Sequence, residues 1–199
     1  MEARALDTFD LSTYLQLESE SDTKYEFYNG YILAMAGGTP RHGLIGGNFL
    51  TALNIALRAA GKSCKVYSSD VKVAIAKANQ RFYPDVSVVC GPVAYDDTEP
   101  RALTNPMVIV EVLSDTTEAL DRGNKFRGYR QLESLREYIL VSQDRALVEV
   151  FSRAEEGVWR IQTALGMDGA FELPSLDIQL LNSEVYLGVE DLQTDEPSL

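Results

Sequence analysis

The stretch RFYPDVSVVCG at residues 81–91 decides how this chain is read. It suits a β-strand except for a Pro-Asp pair, Pro84-Asp85, set inside it. NPMVIVEVLSD at 105–115 repeats the oddity, with Glu111 the one polar side chain between Met107 and Leu113. A carboxylate embedded this way is costly unless something compensates its charge. Strand alternation puts Tyr83, Asp85, Ser87 and Val89 on one face of Phe82–Val89, and Met107, Ile109, Glu111 and Leu113 on one face of Met107–Leu113. If the two strands are neighbours with Asp85 and Glu111 level, two carboxylates meet at one point. Like charges that close raise one pKa strongly unless a cation lies between them. Mg²⁺ is commonly held by one or two carboxylates with water and substrate phosphates, which this pair could supply. A second reading stays open: Asp85 caps a turn and Glu111 meets an arginine in a buried ion pair.

Outward from these strands the chain alternates element types. DLSTYLQLESE at 10–20 reads as a short helix capped by Asp10 or Ser12. KYEFYNGYILAM at 24–35 reads as a hairpin turning at Asn29-Gly30. GGTPRHG reads as a loop, followed by a helix from Leu44 to Ala60 that stops at Gly61. Lys65–Ala76, Phe82–Val89 and Met107–Leu113 read as three strands, with a Pro-bounded loop from Pro92 to Pro106. Thr116 or Thr117 can cap a helix reaching Leu132. EYILVS at 137–142 is a further strand, and ALVEVFSR with VWRIQTAL form a hairpin. The order helix, three strands, helix, strand predicts a mixed α/β fold. Residues 1–188 are expected to form one domain, and 189–199 an acidic tail.

With 199 residues, 45% of them hydrophobic, the chain can bury one sizeable core. No apolar window approaches the roughly 20 residues of a membrane span, and the start lacks the pattern of a signal peptide. Cys64 and Cys90, without CxxC spacing, read as reduced thiols of a cytoplasmic protein. The net charge of −12 weighs against a nucleic-acid partner. That charge is uneven, however. All 18 basic residues lie within 1–160 against 22 acidic ones, a balance of −4, and eight acids follow Arg160.

YPDVSVV, then PMVIVEVLS, then a helix containing DRGNKFRGY, resembles the PD-(D/E)XK restriction-endonuclease-like superfamily and, more narrowly, the Uma-two family of endonuclease-like proteins. YEFYNGYILAM, RHG, YSSDVKVAI and EYILV extend the likeness over roughly residues 10–150. The resemblance implies a restriction-endonuclease-like α/β core with a mixed sheet and flanking β-hairpins. It also implies an endonuclease that hydrolyses DNA with Mg²⁺ or Mn²⁺. Asp85 matches the motif's aspartate and Glu111 its second acid, with the Val112 carbonyl as a further metal ligand. The motif's lysine belongs two residues after the glutamate, and Leu113 stands there. Lys125, in the helix that follows, is the expected replacement for positioning water and stabilising phosphoryl charge. Its other reading is a solvated partner of Asp121.

Asp70 is expected to extend the metal cluster, with solvent exposure as its alternative. Lys72 is a second candidate cation, although a solvent-facing side chain suits it better. Glu26 can supply a further acid from the hairpin or form a cross-strand polar pair. His42, the chain's only histidine, can contact phosphate, relay a proton or cap a turn, and no GxSxG accompanies it. GGTPRHGLIGGN fits no nucleotide-binding spacing. Arg122, Lys125, Arg127 and Arg130 make the most basic stretch, suited to a DNA backbone or to solvent. A homodimer is compatible with double-strand cleavage. The alternative to an enzyme is a catalytically silent binding or assembly module on the same fold.

Overall fold

Local chemistry sets the first elements of the computed structural model, which describes residues 8–35 and 37–193. Asp10 caps α1 (Leu11–Ser19), its carboxylate accepting the Thr13 N–H at 2.8 Å. Asn29 and Gly30 hold φ at 49° and 94°, the two positive values a type I′ turn needs. They join β1 (Tyr25–Tyr28) to β2 (Tyr31–Ala34). Helix α2 spans Pro40–Ala59, with Pro40 at its first turn and the Thr39 hydroxyl accepting the His42 N–H. It therefore starts four residues before the expected Leu44, and the RHG segment is helical rather than loop. Its Ile45, Phe49, Ala52, Leu53 and Leu57 recur on one face, and all are buried.

The central sheet takes β3 (Cys64–Ser68), β6 (Val86–Cys90), β7 (Val108–Val112), β8 (Glu137–Val141), β9 (Leu147–Arg153) and β10 (Trp159–Leu165), in the order β10-β9-β8-β7-β6-β3. Strands β7 and β8 run parallel and all its other pairs antiparallel, so the sheet is mixed as expected. A second sheet, in the order β2-β1-β5-β4, adds β4 (Val73–Ile75) and β5 (Gln80–Phe82) to the first hairpin. A small pair, β11 (Ala170–Leu173) with β12 (Ile178–Leu181), and the helical turn α5 (Asn182–Val185) lie beside α2.

Two expected strands prove to be broken. Lys65–Ala76 splits at a turn in which Val71 N donates to Ser68 O, so β3 joins the large sheet and β4 the small one. Phe82–Val89 splits at Tyr83–Asp85, where the chain leaves the small sheet for the large one. Pro84 has no N–H to offer a ladder, which suits a crossing point. At the second break both halves are buried, so the apolar pattern runs on across it, whereas β3 before the first is only half-buried.

Packing follows from alternation. Val86, Val88, Val108, Val110 and Val112 face α2, β11 and β12 in one cluster. Val89, Ile109, Leu113, Tyr138 and Leu140 face the small sheet and the helical segment after β7 in the other. That segment runs as α3 (Glu118–Leu120), a π-helical turn (Asp121–Lys125) and α4 (Phe126–Tyr129), not as one regular helix to Leu132. A Cβ on Gly128 would collide with the Gln80 side chain, so glycine lets α4 lie against β5.

Cys64 and Cys90 stand opposite each other in the β3–β6 register and form a disulfide, against the expectation of free thiols. Strand partners 26 residues apart carry no local spacing signal. Of the residues expected to form the acidic tail, Val189 and Leu192 pack on the core, and Gln193 N donates to Asp144 O. Residues 194–199 and 1–7 lie outside the described residues. Among the described residues, no helix is long and apolar enough to cross a membrane.

Candidate active site

The β6–β7 register, Val86 opposite Val110, carried one step further sets Asp85 level with Glu111, the condition on which the paired-carboxylate reading depends. Asp85 accepts the Val112 N–H at 2.7 Å, which fixes its carboxylate at the end of β7. The His42 Nε2 lies 3.3 Å from the same Asp85 oxygen, brought there by the first turn of α2. The Asp85 hydrogen bond holds the His42 pKa above the ordinary imidazole value; burial opposes this, while the Asp85 charge and the Val112 carbonyl reinforce it.

Glu111 lies deeper, 3% exposed, beside Lys125 at 4%. The Lys125 ammonium is 3.1 Å from Glu26, 3.2 Å from Asp121 and 3.6 Å from Glu111. Tyr129 donates to Glu111 at 3.2 Å, and Tyr83 N donates to Glu26 at 3.1 Å. Burial pushes the Glu111 carboxyl well above the usual range; Lys125 pulls it back, and Asp121, Asp85 and Glu26 push it up again. For Lys125, burial alone would lower the pKa, but Glu111, Glu26 and Asp121 more than offset it, leaving the ammonium firmly protonated. Three carboxylates thus share one ammonium. The reading of Lys125 as a solvated helix residue is overturned. The π-helical turn accompanies this: Asp121 and Lys125, its first and last residues, both face inward.

Asp121 and Tyr129 belong to this cluster and escaped sequence reasoning. The pattern Asp121-x-x-x-Lys125 was their only signal, and it reads equally well as an exposed helical pair. The basic stretch does not form one face either. Arg122 binds Glu118 and Glu149, and Arg130 lies over the rings of Phe126 and Trp159.

Two candidates lie elsewhere. Asp70 sits at the turn after β3 with its side chain 78% exposed, paired with Lys24 at 2.5 Å. Lys72 is buried, against its expected solvent exposure, and its ammonium meets Glu18 of α1 and Glu99. A cavity of about 250 Å³ opens beside it, lined by Lys24, Asp70, Tyr83 and Arg101 among others. The expectation that Asp70 and Lys72 join Asp85 and Glu111 is therefore not met.

Among the described residues no group of three or more His, Cys, Asp or Glu side chains could hold a metal ion. A metal here would rest on Asp85, Glu111 and the Val112 carbonyl, with water and substrate oxygens completing its shell. That all-oxygen donor set fits Mg²⁺ or Mn²⁺ and not a thiolate- or imidazole-seeking ion.

Known proteins resemble this chain in fold and in sequence. A crystal structure described as a putative nuclease belonging to DUF820, from Anabaena variabilis, superposes with a TM-score of 0.72 at 15% identity, covering 89% of this chain and 97% of that one. At that identity the likeness concerns the fold, a restriction-endonuclease-like one. An uncharacterised protein of Synechocystis sp. is 35% identical over 176 residues, 88% of this chain and 90% of its own. A second from the same organism is 31% identical over 165 residues, 83% and 92% of the two chains. The family model described as Uma2, putative restriction endonuclease, matches residues 11–182. With nearly all of its described elements inside that match, the chain belongs to the Uma2 family.

Proposed function

We propose that this protein is a metal-dependent endonuclease that hydrolyses DNA phosphodiester bonds at the Asp85–Glu111 site. The observation that carries the reading is Asp85, just before β6, level with Glu111 of β7, with the Lys125 ammonium 3.6 Å from Glu111. Asp85, Glu111 and the Val112 carbonyl would hold the ion. Bound Mg²⁺ or Mn²⁺ supplies a Lewis acid and lowers the pKa of water near it. Lys125 reaches the site from the helix and takes the place of the lysine that Leu113 lacks. It offsets part of the burial penalty on the Glu111 carboxylate and directs positive charge toward the phosphoryl oxygens. His42 orients Asp85 from the α2 side and can hold a proton at Nε2. In the reaction water adds to phosphorus and the P–O bond to the leaving strand breaks, with a proton returning to that oxygen.

A second reading, a catalytically silent binding module, is favoured by one feature. Leu113 is buried where the motif lysine would stand, and Lys125 is already engaged by three carboxylates. Plasmid nicking in Mn²⁺ and Mg²⁺, beside an identically prepared Asp85→Ala protein, separates the two. Nicking by the wild type that falls at least ~100-fold in the variant supports the enzyme. Calorimetric Mn²⁺ titrations unchanged by both Asp85→Ala and Glu111→Ala would end the metal-site reading.

A further inference from the structure

A groove of about 680 Å³ opens beyond the carboxyl ends of the parallel strands β7 and β8. The crevice past such strand ends is where α/β sheets commonly take ligands. Its walls are the α2 N-terminus (Thr39, Arg41), the β7–α3 loop (Ser114, Asp115, Thr116), Arg122 of the π-helical turn and the β8–β9 turn (Ser142 to Arg145). The groove is tied to the candidate site by hydrogen bonds. Gln143 donates to the Leu113 carbonyl at 2.6 Å and accepts from the Thr39 hydroxyl at 2.8 Å, and Thr39 in turn caps the helix that presents His42. Leu113 is the next residue after Val112, whose N–H holds Asp85.

The charges in the groove narrow its ligand. Arg41 donates to the carbonyls of Gln143 and Glu190 at 3.5 and 3.0 Å, contacts that leave its charge available to an anion. Arg145, on the exposed β8–β9 turn, and Arg122, which pairs with Glu118 and Glu149, also line the groove. Asp115, Glu118 and Asp144 line the same groove, so it is not a uniformly positive surface. A bare polyanion would meet these carboxylates as repulsion. A DNA strand instead carries phosphates for the arginines and base amino donors that carboxylates accept.

We infer that this groove binds the DNA strand flanking the reacting phosphodiester, with Arg41 and Arg145 on its phosphates and the groove carboxylates and hydroxyls on its base edges and sugars. The placement rests on the nuclease reading for its orientation, but the binding does not require turnover. A local mixed-charge track also accounts for how a chain of net charge −12 can hold DNA without a broad basic face.

The test is fluorescence anisotropy with a fluorescein-labelled DNA oligonucleotide in EDTA, over a series of salt concentrations. The variants are Arg145→Ala, Arg145→Glu and the double variant Arg41→Ala/Arg145→Ala, each checked for an unchanged circular dichroism spectrum. Because Arg41 also ties main-chain carbonyls, Arg145→Glu carries the test if the double variant fails to fold. The inference expects at least ~10-fold weaker binding in the double variant or in Arg145→Glu, and a log–log salt slope reduced by about one per lost phosphate contact. It also expects unlabelled oligonucleotide to compete far better than inorganic tripolyphosphate at equal phosphate concentration. Wild-type nicking with binding unchanged in every arginine variant would overturn the groove and leave the nuclease reading intact. Arginine-dependent binding without nicking would support the groove and overturn the nuclease reading. No binding by the wild type at low salt would overturn the groove outright.

Discussion

Lys72 and Lys125 are equally buried, each 4% exposed and each set among carboxylates, yet the charge around them differs. Around Lys72 the charges nearly balance. Lys72 meets Glu18 and Glu99, while Arg81 lies 3.3 Å from Asp96 and 3.5 Å from Glu99. The rings of Tyr14 and Tyr83 flank the ammonium at 4.9 and 5.2 Å. Two cations against three acids tie α1, the small sheet and the 91–106 loop together. Around Lys125 one cation faces three acids, with Asp85 held separately by His42. Such an excess of buried negative charge is unfavourable for folding alone and favourable for a site that takes up another cation. Tyr83 joins the two clusters, its N–H donating to Glu26 and its hydroxyl to Glu18.

The comparison is most exposed to a pair of lysine replacements. Lys125→Met leaves three buried carboxylates without their cation and is expected to cost about 3–5 kcal/mol in urea unfolding. Lys72→Met leaves Arg81 beside Glu99, and its expected cost is about 1–3 kcal/mol. Added Mn²⁺ should raise the midpoint of the Lys125 variant by more than that of the wild type, and that of the Lys72 variant by the wild-type amount. Equal responses of the two would erase the distinction drawn between the clusters.

Smaller effects come from titration. Burial raises the Glu111 pKa, so the folded state favours its protonated form. The resulting stability is complete below the ordinary value of about 4.3 and is lost as pH rises through the raised folded value. Glu111→Gln removes that loss and is expected to exceed the wild type by roughly 1 kcal/mol or more above the raised value, read from midpoints across a pH series. His42 has the same sign. Its contribution from Asp85 is complete below about 6.5 and is lost as pH rises through its raised folded pKa. In metal-free protein, His42→Ala should flatten the decline above that pH, an effect of about 1 kcal/mol. The smallest effect is expected at Asp70, which is 78% exposed beside Lys24. Asp70→Asn should change stability by less than about 0.5 kcal/mol and leave DNA nicking unaltered. Loss of nicking there would instead return Asp70 to the active site.

The site was legible wherever a strand pattern carried it. Glu111 stands out because a lone acid breaks an apolar run, and Asp85 because proline precedes it. Asp121 was not legible as a site residue, since a π-helical turn shifts the helical phase that would have marked it as inward. Lys72 was misread because alternation was carried through Ser68–Val71, where the chain turns from one sheet to the other.

By itself the sequence determined the α/β order, the Asn-Gly hairpin, the α2 core stripe and the strand bearing Glu111. Each of these depends on turn preference or on alternation between neighbouring residues, and such signals survive in a linear chain. Only the tertiary structure decided that Pro84-Asp85 marks a passage between two sheets and that Cys64 meets Cys90. It alone brought His42 to Asp85, and Glu26 to Lys125 across about half of the chain. Charge compensation in a core depends on distances between side chains remote in sequence, and periodicity reports burial without naming the partner.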